Sequence, residues 1–288
     1  MWKSDNWKQY SLIDSSGGER LERWGDVTVI RPDPQAVWNS KRTNPLWKKA
    51  DARYIRSNSG GGQWEFYKKL PESWTIKQDG LQFKIKPMNF KHMGLFPEQL
   101  TNWEWFSKLI KESNREINVL NLFAYTGGAT VACAKAGAKV CHVDASKGMV
   151  AHAKENAELS GLKEHPIRYI VDDCVKFVNR EIRRGNRYDA IIMDPPSYGR
   201  GPGGEVWKIE TELYNLVTLC SQVLSDRPLF FLLNSYTTGL SGYTMENVLR
   251  LILGEKFDGE FTSDEIGIPT KDSGIVLPCG CSARFCGR

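Results

Sequence analysis

The chain has 288 residues, of which 41% are apolar and 25% charged, with a net charge of +5. A chain of this length and composition can build one large domain or a large and a small one, and its mild positive charge permits a polyanionic partner without requiring one. The sequence has neither a signal-peptide pattern nor a run of about 20 apolar residues that would cross a membrane. Its seven cysteines, an odd number, argue against a disulfide framework. We therefore expect a protein of the reducing cytoplasm.

The first 90 residues are rich in Trp, Lys, Arg, Gly and Pro and contain short β-like runs. TIKQDGLQFKI predicts a β-hairpin in which Gln78, Asp79 and Gly80 separate two strands, because Asp-Gly readily adopts the positive φ of a tight turn. SNSGGGQ is typical of a flexible loop tip. The sequence predicts a small β-rich domain over residues 1–90, a candidate for substrate recognition, and a second domain over residues 91–288.

The rest of the chain alternates predicted strands with predicted helices. INVLNLF, AKVCHVD, IRYIVDD, DAIIM and RPLFFLLNSY are typical of buried strands, and GATVACAKAG, SKGMVAHAKENAELSG and CVKFVNREIRRG of the helices between them. Ser146 is the expected N-cap of the second helix, and Gly161 the residue just beyond its end. Repeated βα units predict an α/β fold with a parallel, doubly wound sheet. FTSDEIGIPT and GIVLPCGCSARF need no crossover between them, which makes the last strand antiparallel.

Glycines follow the first strand, in the segment AYTGGAT. Gly127 and Gly128 let the backbone approach a ligand at a helix N-terminus, although a plain tight turn explains them equally well. An adjacent pair does not satisfy the G-x-G-x-x-G pattern of dinucleotide-binding proteins, which disfavours NAD.

Acidic residues follow the next two strands. Asp144 could accept hydrogen bonds from both ribose hydroxyls of a nucleoside cofactor, and the alternative is a surface or helix-capping aspartate. Asp173 could accept from an adenine amino group while the backbone N–H of Cys174 meets the ring. The alternative there is a helix cap, which fits Asp172 better than Asp173.

The fourth strand ends in DPPSYGRG. Two prolines cannot continue a sheet ladder, so the strand stops there and leaves the Asp194 carboxylate and the Tyr198 ring at the carboxyl-terminal edge. Ligands of open α/β sheets bind at that edge.

Together, NLFAYTGGAT, HVDASKGMVAHAKENAELSGL, VDDCVKFV and DPPSYGRGPGGEVWKI resemble the class I S-adenosylmethionine-dependent methyltransferases of the bacterial large-subunit (23S) rRNA type. The resemblance covers roughly Phe90 to the C-terminus and implies a Rossmann-like sheet, S-adenosylmethionine (SAM) as cofactor and RNA, in particular large-subunit rRNA, as partner. HMGLFPEQ resembles the family's element that closes over the cofactor, although Glu98, Gln99 and Leu100 stand where the family has Asp-Gln-Arg or Asp-His-Arg. The cofactor-binding residues implied are Phe96, Gln99, Phe123, Tyr125, Thr126, Gly127, Asp144, Ala145, Ser146, Asp173, Cys174 and Asp194.

The resemblance also implies catalytic roles for Asp194, Pro195 and Tyr198. In a D/N-P-P-Y/F arrangement the acid and the carbonyl beside the prolines accept hydrogen bonds from an amino group, and the aromatic ring stacks on a flipped base. Ser197 is an insertion that the similar rRNA families share. Methylation of pyrimidine carbon-5 needs a cysteine nucleophile, but the fourth and fifth strand ends offer only Ser197 and Ser235. We therefore expect a nitrogen target.

Two other functions stay open. One is a methyltransferase acting on a protein side-chain amide or a small molecule, since D-P-P-aromatic also suits an amide nitrogen. The other is a noncatalytic nucleic-acid-binding protein, against which the loop of residues 126–128, Asp144 and Asp194 argue.

Two further patterns are ambiguous. Cys279, Cys281 and Cys286 form C-x-C-x4-C but lack a fourth nearby ligand, so we assign no metal. Trp38, Trp47 and Tyr54 lie in or beside the basic stretch KRTNPLWKKADARYIR. The stretch could bind the phosphates of RNA while these rings stack on bases, or the rings could fold back into a small β core.

Overall fold

The computed structural model describes residues 1–57, 61–200 and 206–288. The chain divides into two compact units. The large unit comprises Met1, Asn102–Ile266 and Gly280–Arg288. The small unit comprises Trp2–Thr101 and Gly267–Cys279.

The small unit is built mainly of β-strands. Its described elements are β1 (Trp2–Lys3), β2 (Tyr10–Ser16), β3 (Glu19–Trp24), β4 (Val27–Pro32), α1 (Leu46–Lys49), β5 (Ala52–Arg56), β6 (Gly62–Phe66), β7 (Trp74–Gln78), β8 (Leu81–Ile85) and a 3-10 helix (Pro97–Gln99). Strands β2 to β6 form one sheet in chain order, which confirms a β-rich N-terminal region. The predicted hairpin is β7–β8, with Asp79 and Gly80 at φ 47° and 80°; Gln78 belongs to β7 rather than to the turn.

The predicted loop tip SNSGGGQ is described only in part. Residues 58–60 lie outside the described residues, and Gly62 and Gln63 already belong to β6.

The large unit alternates strands and helices. Its elements are α2 (Leu100–Glu112, which starts in the small unit), β9 (Asn118–Leu122), α3 (Gly128–Lys135), β10 (Lys139–Asp144), α4 (Lys147–Leu159), β11 (Ile167–Val171), α5 (Cys174–Arg184), β12 (Ala190–Met193), β13 (Tyr198–Arg200), β14 (Val206–Lys208), α6 (Ile209–Ser221), β15 (Phe230–Ser235), α7 (Gly242–Leu253), β16 (Gly259–Pro269, which ends in the small unit) and β17 (Val276–Gly287, which starts in the small unit). Ser146 caps α4 as expected, and Gly161 follows its end with φ 73°.

The strands of the large unit follow the order β16-β17-β15-β12-β9-β10-β11. Strands β15, β12, β9, β10 and β11 pair in parallel, and β17 pairs antiparallel to β15. This topology confirms the predicted Rossmann-like sheet. The chain runs outward from β9 to β11 and then returns to β12 on the other side of β9, so the order reverses between β9 and β12. Ligands of open α/β sheets bind at the carboxyl ends of the strands beside such a reversal.

Helices cover the sheet. Every residue of β12 and β15 is buried, as expected for parallel strands with both faces covered. Four elements were not predicted from the sequence: α2, α6, α7 and the β13–β14 hairpin. Of these, α6 buries apolar residues at helical spacing, including Leu213, Leu216 and Val217. Within the described ranges, no helix has the length and apolarity needed to span a bilayer.

Candidate functional site at the carboxyl edge of the sheet

The register of three neighbouring strands sets the geometry of the site. Leu122 of β9 pairs with Val143 of β10 on one side and with Met193 of β12 on the other. The next residues along these strands, Phe123, Asp144 and Asp194, therefore lie at the same level of the carboxyl edge. A parallel sheet thus brings together two carboxylates and a loop that lie far apart in sequence.

The loop after β9 has an unusual backbone. Phe123, Tyr125 and Gly127 adopt φ values of 55°, 51° and 80°, so alternate residues lie in the left-handed region. This region is unfavourable for aromatic residues and persists only where surrounding contacts hold it. Gly127 has no such penalty, and a Cβ there would lie 2.7 Å from the Cβ of Ala153, so no larger residue fits.

Asp144 provides one of the contacts that hold this loop and one that holds the turn after β10. Its Oδ2 accepts a hydrogen bond from the Tyr125 N–H at 2.8 Å, and its Oδ1 accepts one from the Ser146 N–H at 2.8 Å. Each carboxylate oxygen has a second lone pair, so these bonds leave acceptor capacity for two ribose hydroxyls. Asp144 therefore fixes the loop whether or not it also binds a cofactor.

A buried polar cluster supports the loop from below. The Asn121 amide donates to Thr130 Oγ1 at 2.9 Å, and Thr130 Oγ1 lies 2.9 Å from Nδ1 of His142. The Asn156 amide donates to the Thr126 carbonyl at 2.8 Å. Burial lowers the pKa of His142 to about 4, so its imidazole is neutral at physiological pH.

The end of β11 corrects one expectation. Asp173, not Asp172, caps α5 by accepting a hydrogen bond from the Lys176 N–H at 2.9 Å. Asp172 instead pairs with Arg180 and accepts the Asp173 N–H. The cap uses Oδ1 of Asp173, so Oδ2 can accept from an adenine amino group.

Cys174 begins α5 and packs against the loop after β9. The Phe123 N–H donates to its sulfur at 3.4 Å. Burial raises the pKa of the Cys174 thiol to about 12, so it is a neutral packing group rather than a nucleophile.

The segment after β12 is held by side chains of later elements. Indole Nε1 of Trp207 donates to the Pro196 carbonyl at 2.6 Å, and the Thr237 hydroxyl donates to Ser197 Oγ at 2.6 Å. Tyr198 opens the β13–β14 hairpin, and half of its surface is exposed. The remainder of the motif, residues 201–205, lies outside the described residues.

One oxygen of Asp194 terminates a chain of buried hydrogen bonds. Asn234 of β15 donates from Nδ2 to Asp194 Oδ1 at 3.1 Å, and Ser282 of β17 donates to Asn234 Oδ1 at 2.7 Å. The Asn102 amide donates to Ser282 at 3.0 Å, and Arg284 donates to Asn102 Oδ1 at 2.6 and 3.1 Å.

We call this series of hydrogen bonds the Asp194 relay. Every donor in it points in the same direction, from the Arg284 guanidinium toward the Asp194 carboxylate. Burial lowers the pKa of Arg284 to about 9. Since this value is still above neutral pH, the guanidinium is charged there. The relay was not predicted from the sequence. The signal was present, because Ser282 and Arg284 are polar residues two apart on one face of an otherwise apolar strand, and Asn234 ends the preceding strand of the sheet.

Other predicted residues lie elsewhere in the large unit or in the small unit. Ala145 is exposed between Asp144 and Ser146. Phe96 and Gln99 lie in the small unit, at the start and end of the 3-10 helix, where the Gln99 N–H donates to the Phe96 carbonyl at 3.1 Å.

The basic stretch of the small unit folds back on itself. Trp38 donates to the Ser15 carbonyl and Trp47 to Asp14, each at 2.8 Å, while Tyr54 is buried. These three rings therefore stabilise the β core, the second of the two alternatives.

Cysteines of the described residues form no metal centre. No group of three or more His, Cys, Asp or Glu side chains within residues 1–57, 61–200 and 206–288 is arranged to hold an ion. The C-x-C-x4-C pattern belongs to β17, where successive residues face opposite sides of the sheet, so Cys286 faces away from Cys279 and Cys281. Cys133, Cys141 and Cys220 are buried, as expected for small apolar residues.

The sequence of the chain is similar to those of known proteins. Residues 36–215 match the family model described as S-adenosylmethionine-dependent methyltransferase. The ribosomal RNA large subunit methyltransferase K/L of Pseudoalteromonas atlantica is 26% identical over 88% of this chain, and that of Shewanella loihica is 38% identical over 41%. The chain spans only 39% and 16% of the lengths of these two curated relatives.

Solved structures agree with the family match. The SAM-dependent methyltransferase from Agrobacterium tumefaciens superposes with a TM-score of 0.92 and 38% identity, covering 99% of this chain and 93% of that one. The structure of SMU.776 complexed with SAH has a TM-score of 0.77 at 19% identity, covering 99% and 76%, and shares the fold. The family match covers more than half of the chain, and the first structure matches nearly all of it. The chain belongs to the S-adenosylmethionine-dependent methyltransferase family.

Proposed function

We propose that the protein transfers a methyl group from SAM to a nitrogen atom of a base in large-subunit ribosomal RNA. The observation that carries this proposal is the register of β10, β9 and β12, which places Asp144, the left-handed loop and Asp194 side by side at the reversal of strand order.

The residues of the carboxyl edge fit a nucleoside cofactor. Asp144 would bind the ribose hydroxyls through its remaining lone pairs. Asp173 and the backbone of Cys174, at the start of α5, would bind the adenine. Phe123, Tyr125, Thr126, Gly127, Ala145 and Ser146 would complete the pocket within the large unit. The bound cofactor supplies an electrophilic methyl group, and the protein aligns a nucleophile with it and excludes water.

Asp194, Pro195 and Tyr198 would position the substrate. Asn234 occupies Oδ1 of Asp194 with one hydrogen bond and thereby orients the carboxylate. Oδ2 and the Pro195 carbonyl would accept hydrogen bonds from the amino group, which aims the nitrogen lone pair at the methyl. The exposed ring of Tyr198 would stack on a flipped base.

Ribosomal RNA is the proposed substrate because the curated relatives are named ribosomal RNA large subunit methyltransferases. A direct test incubates the protein with labelled SAM and either total RNA or total protein, and then with ribosomal subunits from a deletion strain. We expect label in RNA, released on digestion as an N-methylated nucleoside. Label in protein alone, or in a small-molecule fraction, would refute the RNA substrate while leaving methyl transfer intact.

The nitrogen target has its own test. We predict that a Cys174→Ser, Cys279→Ser, Cys281→Ser variant keeps substantial activity and that the wild-type protein forms no covalent complex with RNA carrying 5-fluorocytidine or 5-fluorouridine. Burial raises the pKa of the Cys281 thiol to about 11, and desolvation also raises the pKa of Cys279, so neither provides a thiolate at neutral pH. A protein–RNA adduct that survives denaturation and is lost in one single Cys→Ser variant would show carbon chemistry instead.

A further inference from the structure

The small unit contains a groove that the proposed methyl-transfer site does not use. It has a volume of about 520 Å³ and is lined by Tyr54, Arg56, Ser57, Gly61, Phe90, Lys91 and His92. Three of these side chains are aromatic and two are cationic. None is acidic.

The aromatic wall of the groove is firmly built. Indole Nε1 of Trp64 donates to the Met88 carbonyl at 2.8 Å and to the Phe90 carbonyl at 3.3 Å. The Trp64 ring also meets Tyr54 edge-on, with centroids 5.5 Å apart. These contacts fix the backbone that carries Phe90, yet 63% of the Phe90 surface is exposed. An apolar ring held in place and left uncovered is typical of a stacking surface.

The cationic wall is fixed by a different set of contacts. Arg31 donates to the Lys91 carbonyl at 2.8 Å, and the Lys91 ammonium donates to the Pro32 carbonyl at 3.3 Å. Among the described residues, no carboxylate forms an ion pair with Arg56 or Lys91.

The electrostatic environment of the groove is positive. Burial and the nearby charges of Arg20, Arg31 and Arg56 together lower the pKa of Lys91 to about 8, against the opposing effect of Asp33. Burial, with help from neighbouring cations, also lowers the pKa of His92 to about 4, so its ring is neutral and available for stacking. An anion entering the groove would relieve this mutual repulsion.

We infer that this groove binds a nucleotide of single-stranded RNA, with the base on Phe90 and His92 and the phosphate at Arg56 and Lys91. The inference rests on the proposed RNA substrate and identifies where the small unit holds it. The side chains of the groove indicate the class of ligand. Two cationic side chains with no acidic residue in the lining favour a phosphate, and an exposed aromatic ring favours a base that stacks on it. The His92 ring also contacts Phe96, centroids 5.3 Å apart, next to the segment expected to border the cofactor.

Four variants of the full chain test the groove by fluorescence anisotropy. The probe is a fluorescein-labelled single-stranded oligouridylate of about 12 nucleotides. Phe90→Ala should weaken binding about tenfold, since loss of one base stack costs roughly 1–3 kcal/mol. Arg56→Gln should reduce the slope of log K against log salt by about 0.7, the loss of one phosphate contact with a single strand.

Matched controls keep the test specific. Leu251→Ala removes a side chain with the same 63% exposure in the large unit, and Arg23→Gln removes an exposed arginine of the small unit outside the groove. Both should bind RNA like the wild type. Wild-type affinity of Phe90→Ala and Arg56→Gln, or equal losses in the controls, would overturn the inference. Preferential, groove-dependent binding of a hexaglutamate peptide would overturn it in favour of a protein partner.

Methyl transfer by the same variants separates this inference from the proposed function. If the wild type methylates RNA while the groove variants bind and methylate like it, the groove assignment is wrong and the function stands. If no RNA is methylated by the wild type, but oligouridylate binding still depends on Phe90 and Arg56, the function is wrong and the groove stands.

Discussion

The carboxyl ends of β10 and β12 each present an aspartate at the same level of the sheet, but the two aspartates are held differently. Both oxygens of Asp144 accept backbone N–H groups, from Tyr125 and Ser146. One oxygen of Asp194 accepts a side-chain amide at the end of the Asp194 relay. The β10 end is therefore held by backbone groups and the β12 end by the side chains of the relay, and the proposed cofactor and substrate roles divide between the two ends in the same way.

The strongest test of this difference removes the carboxylate at the β12 end. Asp194→Ala should lower the turnover number by about 10²–10⁴-fold, because the amino group loses its acceptor, while SAM affinity stays near normal. Methyl-transfer kinetics and calorimetry measure the two quantities, with exposed Asp226→Ala as the control. Parallel losses of turnover and SAM affinity would mean that Asp194 mainly shapes the cofactor pocket.

The stability of the protein should depend on pH through His142 of β10, which belongs to the buried polar cluster beneath the loop after β9. His142 has a pKa of about 4 in the folded protein, below the ordinary 6.5, so the unfolded chain binds a proton first as the pH falls. Neutral His142 therefore contributes to the stability of the fold at pH 7. Roughly 3 kcal/mol of the free energy of unfolding should be lost as the pH falls from 6.5 to 4.

Urea unfolding of the wild type and of His142→Gln at several pH values measures that loss. The stability difference between the two proteins should shrink by this amount on acidification. A constant difference across the range would show that His142 titrates normally.

Removal of the carboxylate at the β10 end should weaken the cofactor rather than the chemistry. Asp144→Ala removes the acceptor of two backbone N–H groups and of the ribose, so SAM binding should weaken by about 2–3 kcal/mol. Turnover at saturating SAM should change much less. Unchanged affinity in calorimetry would exclude Asp144 from the cofactor site.

The smallest expected effect concerns the interior of the Asp194 relay. Ser282→Ala breaks the relay two bonds from Asp194 and should lower turnover about fivefold, the equivalent of one hydrogen bond, with SAM affinity unchanged. Ser221→Ala is the control, because that buried hydroxyl donates to the Thr218 carbonyl outside the relay. Equal turnover in the two variants would show that the relay only stabilises the fold.

Local patterns in the sequence predicted much of the fold. Alternating βα units predicted a parallel sheet, and two prolines after Asp194 predicted the end of β12. Ser146 and Gly161 predicted the bounds of α4, because capping depends on residues within one turn. The cap of α5 was assigned to Asp172 rather than Asp173, since two adjacent aspartates satisfy the same local rule and only the Asp172–Arg180 pair distinguishes them.

The sequence by itself determined the alternation of strands and helices from β9 to β12, the family resemblance and the acidic residues at the ends of β10, β11 and β12. Only the tertiary structure decided how these residues are held. The relay joins Asn102 to Ser282 and Asn234 to Asp194, pairs that lie 180 and 40 residues apart. Likewise, the groove joins β5 to the segment around Phe90. Such contacts depend on the register of the strands and on segments distant in sequence coming together in the fold. Local sequence propensities encode neither.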